Sequence, residues 1–158
     1  MEFLVGTGGK GLLRIAAKHA DYLNIISEAG KQGEISLDKV KQLTDAAYRE
    51  KVGFLREEAK RIGRNPDSIR VSAFLNAVVL TDSQAAARQM AEQIAVVFQQ
   101  TPEQVLVSPM VLIGTPEDCI TELRRREKER GVTQFFFSIV GFDENLMRRL
   151  KEEVIAHL

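Results

Sequence analysis

The chain has 158 residues, of which 44% are hydrophobic and 28% are charged, and this composition is typical of a globular domain rather than a disordered chain. Lys plus Arg total 22 and Asp plus Glu total 22, so the formal net charge is zero and the basic excess of a nucleic-acid-binding protein is absent. One cysteine and two histidines exclude an intrachain disulfide framework and argue against a zinc site.

We also expect no targeting segment. The N-terminus has no basic segment followed by a long apolar run, so we expect no signal peptide. No apolar run approaches the roughly 20 residues that a membrane helix needs. The sequence therefore predicts a single domain over residues 1–158, in the cytoplasm, without a metal, a membrane or a nucleic acid as partner.

The first part of the chain predicts two strands around a helix. Residues 2–5 predict a strand that ends at Gly6, and residues 22–26 predict a second strand. Between them, apolar residues recur at helical spacing: Leu12, Leu13, Ala16, Ala17 and Ala20. Ser36 is a favourable N-cap residue for one long helix that Gly63 closes.

The second part continues the alternation of strands and helices. Residues 69–80 predict a strand that ends or bends near Asn76, and Asp82 begins the next helix. Two Thr-Pro-Glu motifs, at residues 101–103 and 115–117, place Thr at an N-cap and Pro at the first helical position.

A last strand over residues 134–140 and a helix from Asp143 complete the pattern. The predicted fold is therefore α/β, with four βα units, parallel strands and a helical excursion at residues 101–109 before the last strand. Periodicity alone leaves open whether this is half of a (β/α)8 barrel or a small doubly wound sheet.

A glycine-rich segment between the first strand and the first helix is the strongest candidate site. We call residues 6–10 the glycine loop; Gly11 follows it, and its members are Gly6, Thr7, Gly8, Gly9 and Lys10. Glycines let the backbone approach an anion, and a helix N-terminus directs N–H groups and partial positive charge at it.

Three interpretations of this loop compete. The spacing of Gly6, Gly8 and Gly11 matches a dinucleotide fingerprint, with Glu28 placed to bind a ribose. The interpretation as a nucleotide-binding P-loop has less support than the dinucleotide fingerprint, because Gly11 stands where Ser or Thr would bind magnesium. A tight turn without any ligand is the third.

Several segments resemble the luciferase-like monooxygenase superfamily, in the same order along the chain. Residues 3–21 resemble its strand, Gly-Gly turn and following helix, and residues 111–118 and 131–137 resemble its closing helix and last barrel strand. Thr81-Asp82 with the following helix, and the turn at residues 101–103, look most like the branch that uses the deazaflavin coenzyme.

The resemblance implies the C-terminal half of a TIM-type barrel, beginning at its fifth strand. It implies that the glycine loop holds the phosphate of coenzyme F420 (a deazaflavin) or FMN through backbone amides, for two-electron oxidation or reduction of a small-molecule substrate. The missing half would supply most substrate contacts, so this chain alone is expected to be incomplete as an enzyme. The alternatives are an NAD(P)-dependent Rossmann-type dehydrogenase using Glu28, or a catalytically silent half-barrel that serves binding or assembly.

Other reactive residues carry weaker expectations, and no catalytic acid or base is evident. Asn76 and Ser138 lie near predicted strand ends, where they either contact a ligand or satisfy loop backbone groups. His19 and His157 have no acidic or nucleophilic partner by spacing, and Cys119 is expected to be a small core residue. The mixed charges of residues 124–130 predict a solvated helix face, and residues 135–137 predict core.

An open half-barrel also predicts self-association. Four βα units leave two unpaired sheet edges, and residues 71–75 and 135–139 look apolar on both sides. We therefore expect a homo-oligomer in which two copies cover each other's inner face. In the alternative, the helical excursion at residues 101–109 covers that face within one chain.

Overall fold

The computed structural model describes residues 1–28, 37–139 and 143–158. The chain divides into two compact units. The first comprises Met1–Phe74 and Arg130–Phe135, and the second comprises Leu75–Glu129 and Phe136–Leu158.

The first unit contains the glycine loop and most of a four-stranded sheet. Its elements in chain order are β1 (Leu4–Thr7), α1 (Lys10–His19), β2 (Tyr22–Ile25), α2 (Leu37–Gln42), α3 (Asp45–Arg61) and β3 (Arg70–Leu75). The last strand, β6 (Val132–Phe137), begins in this unit, where the Thr133 hydroxyl donates to the carbonyl oxygen of Val71 at 3.3 Å.

The sheet has the order β1-β2-β3-β6, and β1 lies at its edge. β1 pairs with β2 in parallel, and β2 pairs with β3 in parallel. β1 and β2 therefore each lie beside the next strand along the chain, as a barrel half requires, and β6 follows β3 in the sheet. A dinucleotide-binding fold needs the first strand at the centre of the sheet, so that alternative for Glu28 and the glycine spacing is wrong.

Amphipathic helices cover one face of this sheet. Leu13, Ala16 and Ala17 of α1 are buried, as are Leu23 and Val71 of the strands. On the opposite face Leu4 and Phe74 are 42% and 40% exposed. The expectation that residues 71–75 are buried on both faces therefore holds for this segment except at Phe74, since Ser72 on the same face as Phe74 is 0% exposed.

The second unit contains a separate two-stranded parallel sheet of β4 (Ala77–Leu80) and β5 (Val111–Gly114). Four helices accompany it: α4 (Gln84–Phe98), α5 (Pro102–Leu106), α6 (Pro116–Arg130, whose last residue lies in the first unit) and α7 (Glu144–Arg149). A single π turn, Leu150–Val154, and a short 3-10 turn extend α7 toward the C-terminus.

The predicted bend at Asn76 is present, since β3 ends before this residue and β4 begins after it. β5 was not predicted as a strand, because a run of four apolar residues is too short for its period to distinguish strand from helix.

The long helix expected before Gly63 is divided into α2 and α3. Thr44 caps α3, with its hydroxyl oxygen accepting from the backbone N–H of Ala47 at 3.2 Å. The predicted N-cap Ser36 and the predicted strand end Val140 lie outside the described residues.

Candidate cofactor-phosphate site

The start of α1 lacks a side-chain cap. β1 ends at Thr7, α1 begins at Lys10, and Gly9 occupies the N-cap with extended backbone angles, φ −88° and ψ 138°. The first intrahelical bond runs from Leu13 N to Gly9 O at 3.0 Å. Helix geometry therefore leaves the N–H groups of residues 10–12 without intrahelical partners, and no acidic residue occupies the first turn to neutralise them.

The loop glycines differ in what surrounds them. A Cβ on Gly8 would lie 2.3 Å from the carbonyl oxygen of Ile26, so this glycine is required by the backbone that follows β2. Nothing lies within 4 Å of a Cβ placed on Gly6, Gly9 or Gly11. The close approach at Gly8 is thus used inside the protein, whereas the other glycines border open space.

Thr7 and Lys10 have distinct local contacts. Thr7 is buried, and its hydroxyl oxygen accepts from the N–H of Gly9 at 3.3 Å, which shapes the turn. Lys10 Nζ lies 3.7 Å from Glu50 Oε1 and 5.6 Å from the ring centre of Phe54. Because both side chains of the Lys10–Glu50 pair are more than 60% exposed, this contact is weak and exchangeable.

A cavity of about 220 Å³ adjoins the loop. Among the described residues that line it are three lysines, Lys10, Lys39 and Lys51, and two glutamates, Glu28 and Glu50, so in this part of the lining lysines exceed glutamates by one. The excess of cations favours an anionic ligand over a cationic one.

Lys51 links the loop to Glu28. Its ammonium donates to the carbonyl oxygen of Gly8 and, at 2.9 Å, to Glu28 Oε1, while Lys39 Nζ lies 3.6 Å from Glu28 Oε2. The hydrogen bond and the charge of Lys51 lower the pKa of Glu28 below its ordinary value. Glu28 therefore serves as a counterion for lysines. Sequence reasoning missed Lys51, because 43 residues separate it from Gly8 and no local pattern connects them.

Asn76 and Ser138, the candidates at predicted strand ends, belong to a different unit from the glycine loop. Asn76 is exposed between β3 and β4, and its N–H donates to the carbonyl oxygen of Met110 at 2.8 Å. Ser138 N donates to the carbonyl oxygen of Leu75 at 2.9 Å. Both residues belong to the second unit, and these bonds satisfy backbone groups of connecting segments.

His157 and Cys119 belong to the second unit, whereas His19 lies at the opposite end of α1 from the glycine loop. His19 is the exposed last residue of α1, and the carbonyl oxygen of His157 accepts from Arg124 at 2.7 Å. Cys119 is buried, and desolvation raises the pKa of its thiol to about 12, which makes it a poor nucleophile at neutral pH.

The charged run at residues 124–130 is solvated only in part. Arg126 is fully buried and donates to the carbonyl oxygens of Ser108, Pro109 and Val111 at 2.6–3.2 Å. Arg130 is 2% exposed and forms an ion pair with Asp45. The prediction of a solvated face was wrong for these two arginines, because the Arg126 guanidinium hydrogen-bonds to backbone carbonyls and the Arg130 guanidinium pairs with Asp45.

Within the described ranges, no group of three or more His, Cys, Asp or Glu side chains is arranged to hold a metal ion. Of the helices described, none is both long enough and apolar enough to cross a bilayer.

Comparison with known proteins adds the fold family. No family model and no curated protein sequence matches the chain. A coenzyme F420-dependent tetrahydromethanopterin reductase from Methanopyrus kandleri matches 99% of this chain and 51% of its own, at 19% identity and TM-score 0.65. An F420-dependent secondary alcohol dehydrogenase in complex with an F420-acetone adduct matches 100% of this chain and 49% of its own, at 15% identity and TM-score 0.64. A riboflavin lyase with modified FMN and the substrate riboflavin matches 97% of this chain and 41% of its own, at 15% identity and TM-score 0.62.

The chain has the fold of about half of the reductase and of the dehydrogenase, and of a smaller share of the lyase. This confirms, at the level of the fold, the resemblance seen in the sequence. The chain spans about half the length of the reductase and the dehydrogenase. At these identities the match concerns the fold, and residue roles depend on the chain's own geometry.

Proposed function

We propose that this chain binds the phosphate of FMN or of coenzyme F420 at the glycine loop, as one half of a luciferase-like oxidoreductase. The observation that carries the proposal is the uncapped start of α1 beside open positions at Gly6, Gly9 and Gly11. The names of the similar structures support the cofactor class, since two include F420 and one includes FMN.

A phosphate at this position would satisfy three features of the loop together. It would accept hydrogen bonds from the N–H groups of residues 10–12. It would interact favourably with the positive end of α1, and Lys10 could exchange its exposed partner Glu50 for the ligand. Thr7 would hold the turn in shape through its bond to the N–H of Gly9.

The bound cofactor would supply the two-electron chemistry, and the chain's own residues would bind and orient it. We assign no catalytic acid or base. The small-molecule substrate and the remaining wall of its site are expected from outside this half-barrel, because the similar enzymes are about twice as long.

Gly9→Asp and Gly9→Asn together test the site. Both side chains can cap α1, and nothing lies within 4 Å of a Cβ at Gly9, so both variants should fold. Asp also adds a negative charge where the phosphate would bind, so we expect FMN affinity to fall at least about tenfold and further than with Asn.

The measurement is titration by fluorescence or calorimetry with FMN, coenzyme F420, inorganic phosphate and riboflavin, which lacks the phosphate. The control is Gly53→Ala, an exposed glycine in α3 with open space at its Cβ. Gly8→Val is unsuitable, because a Cβ there collides with backbone. Unchanged FMN affinity in Gly9→Asp would disprove the phosphate site.

We also propose that the chain self-associates through the β1 edge. β1 ends the order of the four-stranded sheet, and Phe3 and Leu4 beside it are 51% and 42% exposed. On the neighbouring helix, Leu12 and Ile15 are 53% and 51% exposed. An unpaired strand edge next to exposed apolar side chains favours pairing with a second chain.

Sedimentation equilibrium tests this assembly. We expect oligomers at micromolar concentration for the wild type and dissociation in Leu4→Lys, because a lysine at an edge opposes pairing. Met147→Lys, at a 48% exposed position in the second unit, is the control. A wild-type monomer whose unfolding is independent of concentration would rule out the proposal.

A further inference from the structure

Asn24 is a buried polar residue whose side-chain oxygen has no hydrogen-bond partner among the described residues. It lies in β2 between Leu23 and Ile25, which are 0% and 3% exposed, and is itself 8% exposed. Its Oδ1 accepts no hydrogen bond from any group in residues 1–28, 37–139 or 143–158. A buried amide in this condition destabilises the folded chain, so its presence calls for a function.

The strand neighbour of Asn24 on the β1 side is an exposed glycine. The strand register places Gly6 of β1 and Ser72 of β3 on either side of it. Ser72 is fully buried, and its hydroxyl donates to the carbonyl oxygen of Leu23 at 3.2 Å. Gly6 has no side chain, and nothing lies within 4 Å of its Cβ position. A flat group that lies over Gly6 would therefore be next to the Asn24 carboxamide.

We propose that Asn24 binds the ring of the cofactor, with Gly6 providing the space for it; this inference rests on the proposed function. A carboxamide carries one acceptor and one donor side by side. Flavin and deazaflavin rings carry an imide edge, in which an N–H is flanked by carbonyl groups, and that edge is complementary to an amide. A half-turn about the Cβ–Cγ bond lets Asn24 present either atom. The ring would thus supply a partner for the Asn24 side-chain oxygen.

Asn24→Leu tests the inference, because leucine keeps the size and removes both polar atoms. Riboflavin and FMN report ring binding, and inorganic phosphate reports the glycine loop alone. We expect affinity for both ring compounds to fall at least about tenfold, phosphate affinity to stay constant, and the melting temperature to rise. Ile25→Val, whose side chain faces the opposite side of the sheet, should leave all three affinities unchanged.

The outcomes separate this inference from the phosphate site. If Gly9→Asp weakens FMN binding and Asn24→Leu does not, the role of Asn24 is disproved and the phosphate site stands. If Asn24→Leu weakens riboflavin binding while Gly9→Asp leaves FMN binding unchanged, the phosphate site is disproved and the role of Asn24 stands. If neither ring compound binds to the wild type, both proposals fail. Should Asn24→Leu not fold, Asn24→Ala supplies the same comparison.

Discussion

Two strand-to-helix turns in this protein begin their helices in opposite ways. At the start of α6, Thr115 and Asp118 bond reciprocally: the Thr115 hydroxyl oxygen accepts from Asp118 N at 3.3 Å, and Asp118 Oδ2 accepts from Thr115 N at 3.2 Å. A Cβ on the preceding Gly114 would lie 2.8 Å from the Asp118 side chain. At the start of α1, Gly9 offers no side chain and Lys10 follows it.

The difference shows which turn has unused capacity for an anion. In the α6 turn the chain's own hydroxyl and carboxylate satisfy the free donors, and two acidic residues occupy the first turn. In the α1 turn Thr7 accepts only from the N–H of Gly9, and the N-cap glycine and first turn provide no hydroxyl or carboxylate for the N–H groups of residues 10–12. Glycine is present in both turns, so its presence alone does not identify a ligand site.

The largest expected effect is that of Gly8→Ala in the glycine loop. The added Cβ would meet the backbone oxygen of Ile26, which cannot move without displacing the chain after β2. We expect a loss of about 3 kcal/mol in the free energy of unfolding, measured by urea denaturation. Gly6→Ala is the matched control in open space. Equal stability of the two variants would contradict the assignment of Gly8 as a packing glycine.

Thr115→Val should remove the cap of α6 without changing the affinity for FMN. The substitution removes the hydroxyl that accepts from Asp118 N and donates to Asp118 Oδ2 at 2.9 Å. We expect a loss of about 1 kcal/mol in the free energy of unfolding, with FMN affinity unchanged. A loss of FMN binding together with native stability would show that the ligand uses the α6 turn instead.

Gly9→Asp should make the α1 turn resemble the α6 turn. A capping carboxylate in open space should raise the free energy of unfolding by about 0.5 kcal/mol, although it opposes phosphate binding. Thermal melts with and without FMN measure the two effects. The contrast between the turns would be wrong if this variant were less stable than the wild type in the absence of ligand.

The smallest expected effect concerns Glu28 and pH. Lys51 lowers the pKa of the Glu28 carboxyl, so the pair's contribution is present above the unfolded-state pKa and is lost as pH falls through the lower folded-state value. Because Glu28 is 42% exposed, solvent screening keeps this contribution well under about 1 kcal/mol. Urea denaturation between about pH 3 and about pH 6 should show a slightly flatter acid limb in Glu28→Gln than in the wild type. An identical acid limb would exclude the pair as a source of stability.

Local patterns predicted the elements whose energetics are local. The Thr-Pro starts at Thr101 and Thr115 form capped helices, because a cap requires only residues three positions apart. The break near Asn76 and the strand before the glycine loop are also present. The short β5 and the division of the long helix at Thr44 were missed, because a few residues carry too little periodicity.

The sequence by itself determined that a strand, a glycine loop and a helix N-terminus follow one another, since each depends on neighbouring residues. Only the tertiary structure decided that Gly8 packs against Ile26 while Gly9 stays open, that Lys51 reaches the loop, and that Arg126 is buried. The tertiary structure also leaves the side-chain oxygen of Asn24, in β2, without a hydrogen-bond partner among the described residues. These outcomes depend on contacts between segments far apart in the chain, and no periodicity or cap within one segment encodes which distant atoms will meet.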